Sequence, residues 1–243
     1  MTRTRRIAYL TVIALAAVAV AGIASPVQGS AATPSAGGPL SRGDVDAASS
    51  ALPTSADPTV SDRTTNIART GQPGAHATAV STASTNCDGC HGDAFTFQVI
   101  YLDGTGGKTA DNVATAWSQC TGCSSAAISV QVVVARNLNQ VTVNNRALAL
   151  NVACTKCITR SAAVQFVLLG GPGHNLTTFN ADKVAQLHQT LSDALWGAGP
   201  TASTNQTCVR TNATPAADTL EAALVAETGA TSARHTIDIQ TGS

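Results

Sequence analysis

The sequence predicts an α+β domain: a small antiparallel sheet of three repeated hairpins with C-x2-C corners, packed by a C-terminal helix. Two observations carry this reading. Three cysteine pairs, Cys87/Cys90, Cys120/Cys123 and Cys154/Cys157, recur at intervals of 33 and 34 residues. In every copy a glutamine follows the second cysteine by eight residues, at Gln98, Gln131 and Gln165, and an asparagine follows 14 or 15 residues later, at Asn112, Asn145 and Asn180. A fixed internal period of this length is the signature of a repeated supersecondary unit.

The N-terminus reads as an export signal over residues 1–29. Arg3, Arg5 and Arg6 precede an apolar, Ala-rich run from Ile7 to Ala24 that is barely long enough to span a bilayer, and small residues follow at Ser25 to Ala32. That order of basic, apolar and small segments is that of a secretory signal, with cleavage expected between Gly29 and Ala32. Membrane association is expected only through this segment, if it stays uncleaved. Its removal leaves 11 basic and 14 acidic residues in a chain that is 3% aromatic, a balance unsuited to gripping phosphates or stacking bases, so nucleic acid is set aside as a partner.

Residues 30–77 are rich in Pro, Gly, Ser, Thr and Ala without apolar periodicity, and are expected to form a disordered linker. Residues 78–197 form the cysteine-pair repeat domain. Each glutamine lies in an apolar, β-prone run: Phe95 to Leu102, Ile128 to Ala135 and Ala163 to Leu169. The segments ahead of the second and third pairs alternate with period two, placing Asn112, Ala114, Ala116 and Ser118 on one face, then Asn145, Ala147, Ala149 and Asn151. Each cysteine pair is therefore read as the corner between a strand faced with Ala and Asn and a Val-rich strand carrying the glutamine. From Ala181 to Trp196, Val184, Leu187, Leu191 and Leu195 fall at helical spacing, giving the helix that caps the sheet. Residues 198–243 are expected to be a mostly disordered tail with one short helix, where Asp218 and Glu221 have capping-box spacing, Leu220 and Leu224 share a face, and Gly229 stops the helix.

The cysteines admit three chemistries. In an exported chain oxidation is the default, and a disulfide closing so short a loop contributes about 2 kcal/mol if unstrained. Six cysteines allow 15 connectivities, so pairing within and between repeats both stay open; Cys208 is left over. Structural zinc is the alternative, since two C-x2-C pairs supply four thiolates, with His91 as a further donor, but the pairs are farther apart than in a zinc ribbon. Thiol–disulfide catalysis is the second alternative, and it lacks the βαβ context of a redox C-x2-C. No metal and no cofactor is assigned.

The glutamines are read as a hydrogen-bonded ladder satisfying buried polar groups rather than as ligand contacts, and Asn112, Asn145 and Asn180 as turn or cap residues. Gly104 to Thr109 imitates the end of a phosphate loop, but its first glycine would fall at Leu102, so it is ordinary turn chemistry. His174 is placed in a glycine-rich turn and His188 on the helix surface. No catalytic residue is assigned.

The run from Asn112 through Cys120 and Cys123 to Gln131, echoed from Asn145 to Gln165, resembles the cysteine-pair region of uncharacterised exported actinobacterial proteins. In some of these the region accompanies a membrane segment of the peptide zinc metalloprotease type. This chain has neither the zinc-binding helix nor the multiple spans of such a peptidase, so the resemblance implies only an exported domain. The functional expectation is a secreted, disulfide-stabilised structural or interaction module, extracellular or associated with the cell wall, with a protein or cell-wall partner.

Overall fold

A computed structural model of the chain describes residues 44–136, 141–171, 176, 181–196 and 206–242. It is mostly β, and the expected antiparallel sheet of three hairpins is not its architecture. Eight strands alternate between two parallel sheets: β1 (Val45–Ala51), β3 (His76–Thr85), β5 (Lys108–Ser118) and β7 (Val141–Asn151) form sheet A, while β2 (Thr59–Thr70), β4 (His91–Leu102), β6 (Ser124–Ala135) and β8 (Ile158–Leu169) belong to sheet B. Strands consecutive in sequence lie in opposite sheets, and each pairs in parallel with the strand one repeat away. The chain is a β-solenoid of about four turns, each turn one repeat. The period was read correctly; its closure was not, because a Val-rich strand after a tight corner fits a hairpin and a solenoid rung equally well.

The region expected as a linker contributes the first rung, β1 and β2, and opens β3 at His76. Residues 30–43 and the export segment lie outside the described residues. The reason for the difference is the thinness of the interior. Between the sheets β1 points Val45, Ala47, Ser49 and Ala51, and β3 points Ala77, Ala79, Ser81 and Ala83. Small side chains on one sheet face larger ones on the other, so strands of Ala, Ser and Thr suffice and carry little hydrophobic signal.

The C-terminal region is also ordered. Helix α1 (Ala181–Trp196) is followed by α2 (Gln206–Thr228) and strand β9 (Ser232–Thr241), which adds antiparallel to β8 and closes sheet B. Gly229, at φ 66°, ends α2, its N–H donating to Val225 O at 2.9 Å. Asp218 and Glu221 do not cap a helix start; α2 begins twelve residues before Asp218. Glu221 instead holds His235 of β9, Oε2 to Nδ1, at 2.7 Å.

Both faces of the central strands of sheet B, β4, β6 and β8, are buried, while β2 and β9 at its edges are largely half-buried or exposed. Its outer face sets Phe95, Phe97, Val99, Tyr101, Ile128, Val130, Val132, Val164 and Phe166 against Val184 and Leu191 of α1 and Ala217, Leu220 and Leu224 of α2. Strands covered on both sides read as continuous apolar runs, as β4, β6 and β8 do. Sheet A is covered on its inner face only: β3 and β5 alternate buried with half-buried residues, β1 buried with exposed, and β7 half-buried with exposed.

Candidate functional site

Two features rise above the scaffold: the polar ladder through the interior, and the column of cysteine corners along one edge of the solenoid.

The ladder follows from register. Gln98 pairs with Gln131, and Gln131 with Gln165, at equivalent positions of β4, β6 and β8. Gln131 Nε2 donates to Gln98 Oε1 and Gln165 Nε2 to Gln131 Oε1, each at 2.7 Å. The same amides reach carbonyls across the interior: Gln98 to Val45 O and Thr78 O, Gln131 to Ala77 O and Asp111 O, Gln165 to Ala110 O. Asn112 answers from the other sheet, donating to Ser129 O and Val164 O at 3.0 Å and to Asn145 Oδ1 at 2.8 Å. Gln98, Gln131 and Asn112 therefore each bridge two successive strands of the opposite sheet, so the sheets are staggered by half a rung. Asn145, in the last rung, bridges Ala163 O and Thr236 O, and β9 supplies the carbonyl that a fifth rung would otherwise provide. Asn112 and Asn145 are interior rungs, not turn residues; Asn180 lies outside the described residues. Sequence reasoning missed Asn66, which pairs with Gln98 and donates to Asp46 O at 3.2 Å. Its place 32 residues before Gln98 was the available signal. Gln98, Asn112, Gln131 and Gln165 are buried and hydrogen-bonded, while Asn66 and Asn145, in the first and last rungs, are half-buried.

The corners are stacked β-turns. Each C-x2-C is closed by its own disulfide, Cys87–Cys90, Cys120–Cys123 and Cys154–Cys157. The residue before each second cysteine is left-handed: Gly89 at φ 69°, Gly122 at 67° and Lys156 at 58°. Glycine accepts that conformation freely and lysine does not. Main-chain bonds stack one turn on the next, from Gly89 N to Thr121 O at 2.9 Å and from Gly122 N to Thr155 O at 2.8 Å. Such disulfides belong to a non-reducing, non-cytoplasmic environment, and no helix among the described residues is long and apolar enough to cross a membrane.

Stacking also brings sulfurs of neighbouring rungs together. Cys123 Sγ lies 3.2 Å from Cys157 Sγ and 4.0 Å from Cys154 Sγ. The sulfurs of Cys120, Cys123 and Cys157 all fall within 4.8 Å of one another, a donor set for a thiophilic metal if these cysteines were reduced. His91 is not part of it: its Nδ1 pairs with Ser124 Oγ at 2.7 Å.

The remaining histidines occupy other settings. His188 is buried rather than on the surface, its ring edge-on to Phe95 at 4.6 Å between centroids. Its Nε2 stands 3.5 Å from Asp93 Oδ2 without hydrogen-bond geometry. His174 lies outside the described residues. On the outer face of sheet A, His76 Nε2 meets Asp111 Oδ2 at 2.7 Å, and Asn144 Nδ2 donates to Asp111 Oδ1 at 2.6 Å. Burial alone would raise the Asp111 pKa; the hydrogen bonds from Asn144 and His76 outweigh it and hold the carboxyl below its ordinary value.

The same face ends in an apolar corner. Leu148 and Leu150 on β7 stand beside Thr115 and Trp117 of β5, and Val152 follows. Leu148, Leu150 and Val152 are 48%, 46% and 41% exposed. Compared with protein-family models, with curated proteins and with solved structures, the chain matches none.

Proposed function

We propose that this chain is a secreted, disulfide-clipped structural and interaction module, extracellular or wall-associated, which uses the outer face of sheet A to meet a protein or cell-wall partner. One observation carries the reading: the solenoid covers one broad face with two helices and leaves the other bare, with Leu148, Leu150 and Val152 exposed together at its last rung. Apolar side chains clustered on an otherwise Thr-, Ser- and Asn-rich surface are the usual mark of an interaction site. The Arg-rich, then apolar start of the chain and the three disulfides support export. The module is not an enzyme in this reading; the ladder and clips serve its rigidity.

The test is fractionation of producing cells with the wild-type chain and a Leu148→Ser/Leu150→Ser variant. The mature protein is expected outside the cytoplasm with six cysteines resistant to alkylation, and the variant is expected to keep its fold while losing retention on the wall or partner fraction. Equal retention of the two overturns the surface assignment. A cytoplasmic protein with freely alkylated cysteines overturns the export reading.

A further inference from the structure

We propose that the corner column is a thiol–disulfide exchange site in which Cys157, once freed by an external dithiol, attacks Cys123 and moves a disulfide from within a rung to between rungs. The proposal stands apart from the binding reading of sheet A and rests on the cysteines alone.

The solenoid register creates the site. His91, Ser124 and Ile158 are successive partners in sheet B, so Cys90, Cys123 and Cys157, each one residue earlier, form a column. Main-chain bonds from Ser124 N to Cys90 O and from Ile158 N to Cys123 O hold it at 2.9 Å each. Neighbouring strands stand about 4.8 Å apart, inside the Cα separation of about 4.4–6.8 Å that a disulfide accepts. Each second cysteine is thus within bonding range of its rung partner and of the next rung. The sulfurs already approach, Cys157 Sγ standing 3.2 Å from Cys123 Sγ, nearer than Cys154 Sγ at 4.0 Å.

Access orders the events. Cys154 and Cys157 are half-buried in the last rung, whereas Cys120 and Cys123 are 8% and 1% exposed. A dithiol reaches the outer clip first; it is oxidised to its own disulfide as two electrons and two protons pass to Cys154 and Cys157. The Cys157 thiolate then forms a bond to Cys123 Sγ, the Cys120–Cys123 bond breaks, and Cys120 departs as a thiolate that takes up the proton Cys157 released. This second step changes no net oxidation state. Once protonated, the Cys120 thiol has acceptors at hand in Thr85 O at 3.4 Å and Thr85 Oγ1 at 3.7 Å. The outcome is one inter-rung disulfide and two thiols, at Cys120 and Cys154. Reducing equivalents that enter at the exposed rung thereby reach a buried one.

Trypsin separates the outcomes, because cleavage after Lys156 puts Cys154 in fragment 147–156 and Cys157 in fragment 157–160, while Cys120 and Cys123 share fragment 109–136. The full chain is treated with substoichiometric dithiothreitol, quenched in acid, alkylated and mapped by mass spectrometry. The expected product links 157–160 to 109–136, with alkyl groups on Cys120 and Cys154. Fragments 147–156 and 157–160 both alkylated, with the disulfide of 109–136 intact, mean reduction without exchange and overturn the proposal. A Cys154→Ser variant leaves Cys157 without its rung partner and is expected to form Cys123–Cys157 without added reductant, releasing Cys120. A free Cys157 in that folded variant is the overturning result, and if the variant does not fold, the wild-type experiment decides.

Discussion

Sheet B and sheet A have the same register and the same repeat, yet they are built from different amino acids. The central strands of sheet B, β4, β6 and β8, are buried on both faces, and β4 and β6 run Phe-Thr-Phe-Gln-Val-Ile-Tyr and Ile-Ser-Val-Gln-Val-Val-Val. Sheet A is buried on one face, and that face is mostly Ala, Ser and Asn. The difference teaches that stability is concentrated under the helices, while sheet A forms a thin lid over the ladder with an outer surface left for other uses. The largest expected effect follows. Phe97→Ala, at a fully buried position on the helix-covered face, is expected to cost about 3–5 kcal/mol by denaturant unfolding. Leu148→Ala on the bare face is expected to change stability by less than about 0.5 kcal/mol. Similar losses at the two sites would erase the distinction.

The ladder joins the two sheets, and Gln131 is its central member. Gln131→Leu keeps the volume but leaves Gln98 Oε1 and Gln165 Nε2 short of a partner in the buried interior. A loss of about 2–6 kcal/mol is expected, from two buried groups left unsatisfied at about 1–3 each. A neutral result would mean that the amides merely fill space.

How much of this was legible can be read from particular residues. The period, the glutamine column and helix Ala181–Trp196 stood in the sequence, because repeated Cys and Gln at fixed spacing and apolar residues at helical spacing are strong local signals. The first rung was not legible, since its interior face, Val45, Ala47, Ser49 and Ala51, is small and polar enough to look like a linker. Neither was β9, whose Arg234, Thr236 and Asp238 look unlike a strand until β8 offers an edge for them to pair with. The sulfur contact between Cys123 and Cys157 was equally hidden, as it depends on which strands lie side by side, and hairpin and solenoid place different cysteines together.

The two sheets also differ at their ends. Sheet A ends on β1 and β7, and each has a main-chain N–H met by a carboxylate from the opposite sheet: Ser50 N by Asp62 Oδ2 at 2.6 Å, and Ala147 N by Asp238 Oδ2 at 2.8 Å. Inward-turned charges of this kind blunt a strand edge against pairing with other chains. Asp238→Ala is expected to cost about 1–2 kcal/mol and to bring on concentration-dependent association, seen by light scattering. A variant that stays monodisperse at every concentration would show that β7 needs no such guard.

A smaller effect is expected at the third corner, which departs from the other two. Lys156 holds the left-handed conformation that Gly89 and Gly122 hold in the same turn. Lys156→Gly is expected to stabilise the fold by about 1 kcal/mol, because it removes the crowding of Cβ against the following carbonyl. The gain is reduced by the greater freedom of glycine in the unfolded chain. A loss of stability would show that the lysine side chain contributes more than its backbone strain takes away.

Within sheet A, the bare face carries a carboxylate held by its neighbours. Asp111 accepts from His76 and Asn144, and its pKa is lowered in the fold. The unfolded chain therefore holds the proton more readily. The stabilisation from this carboxylate is fully present above the unfolded value of about 3.9 and is lost as pH falls through the lower folded value. Asp111→Asn is expected to melt below the wild type at neutral pH, and the gap should close as the pH drops from about 4 toward 2. Melting curves whose separation stays constant over that range would mean that the Asp111 contact stabilises by shape and hydrogen bonding alone, without its charge.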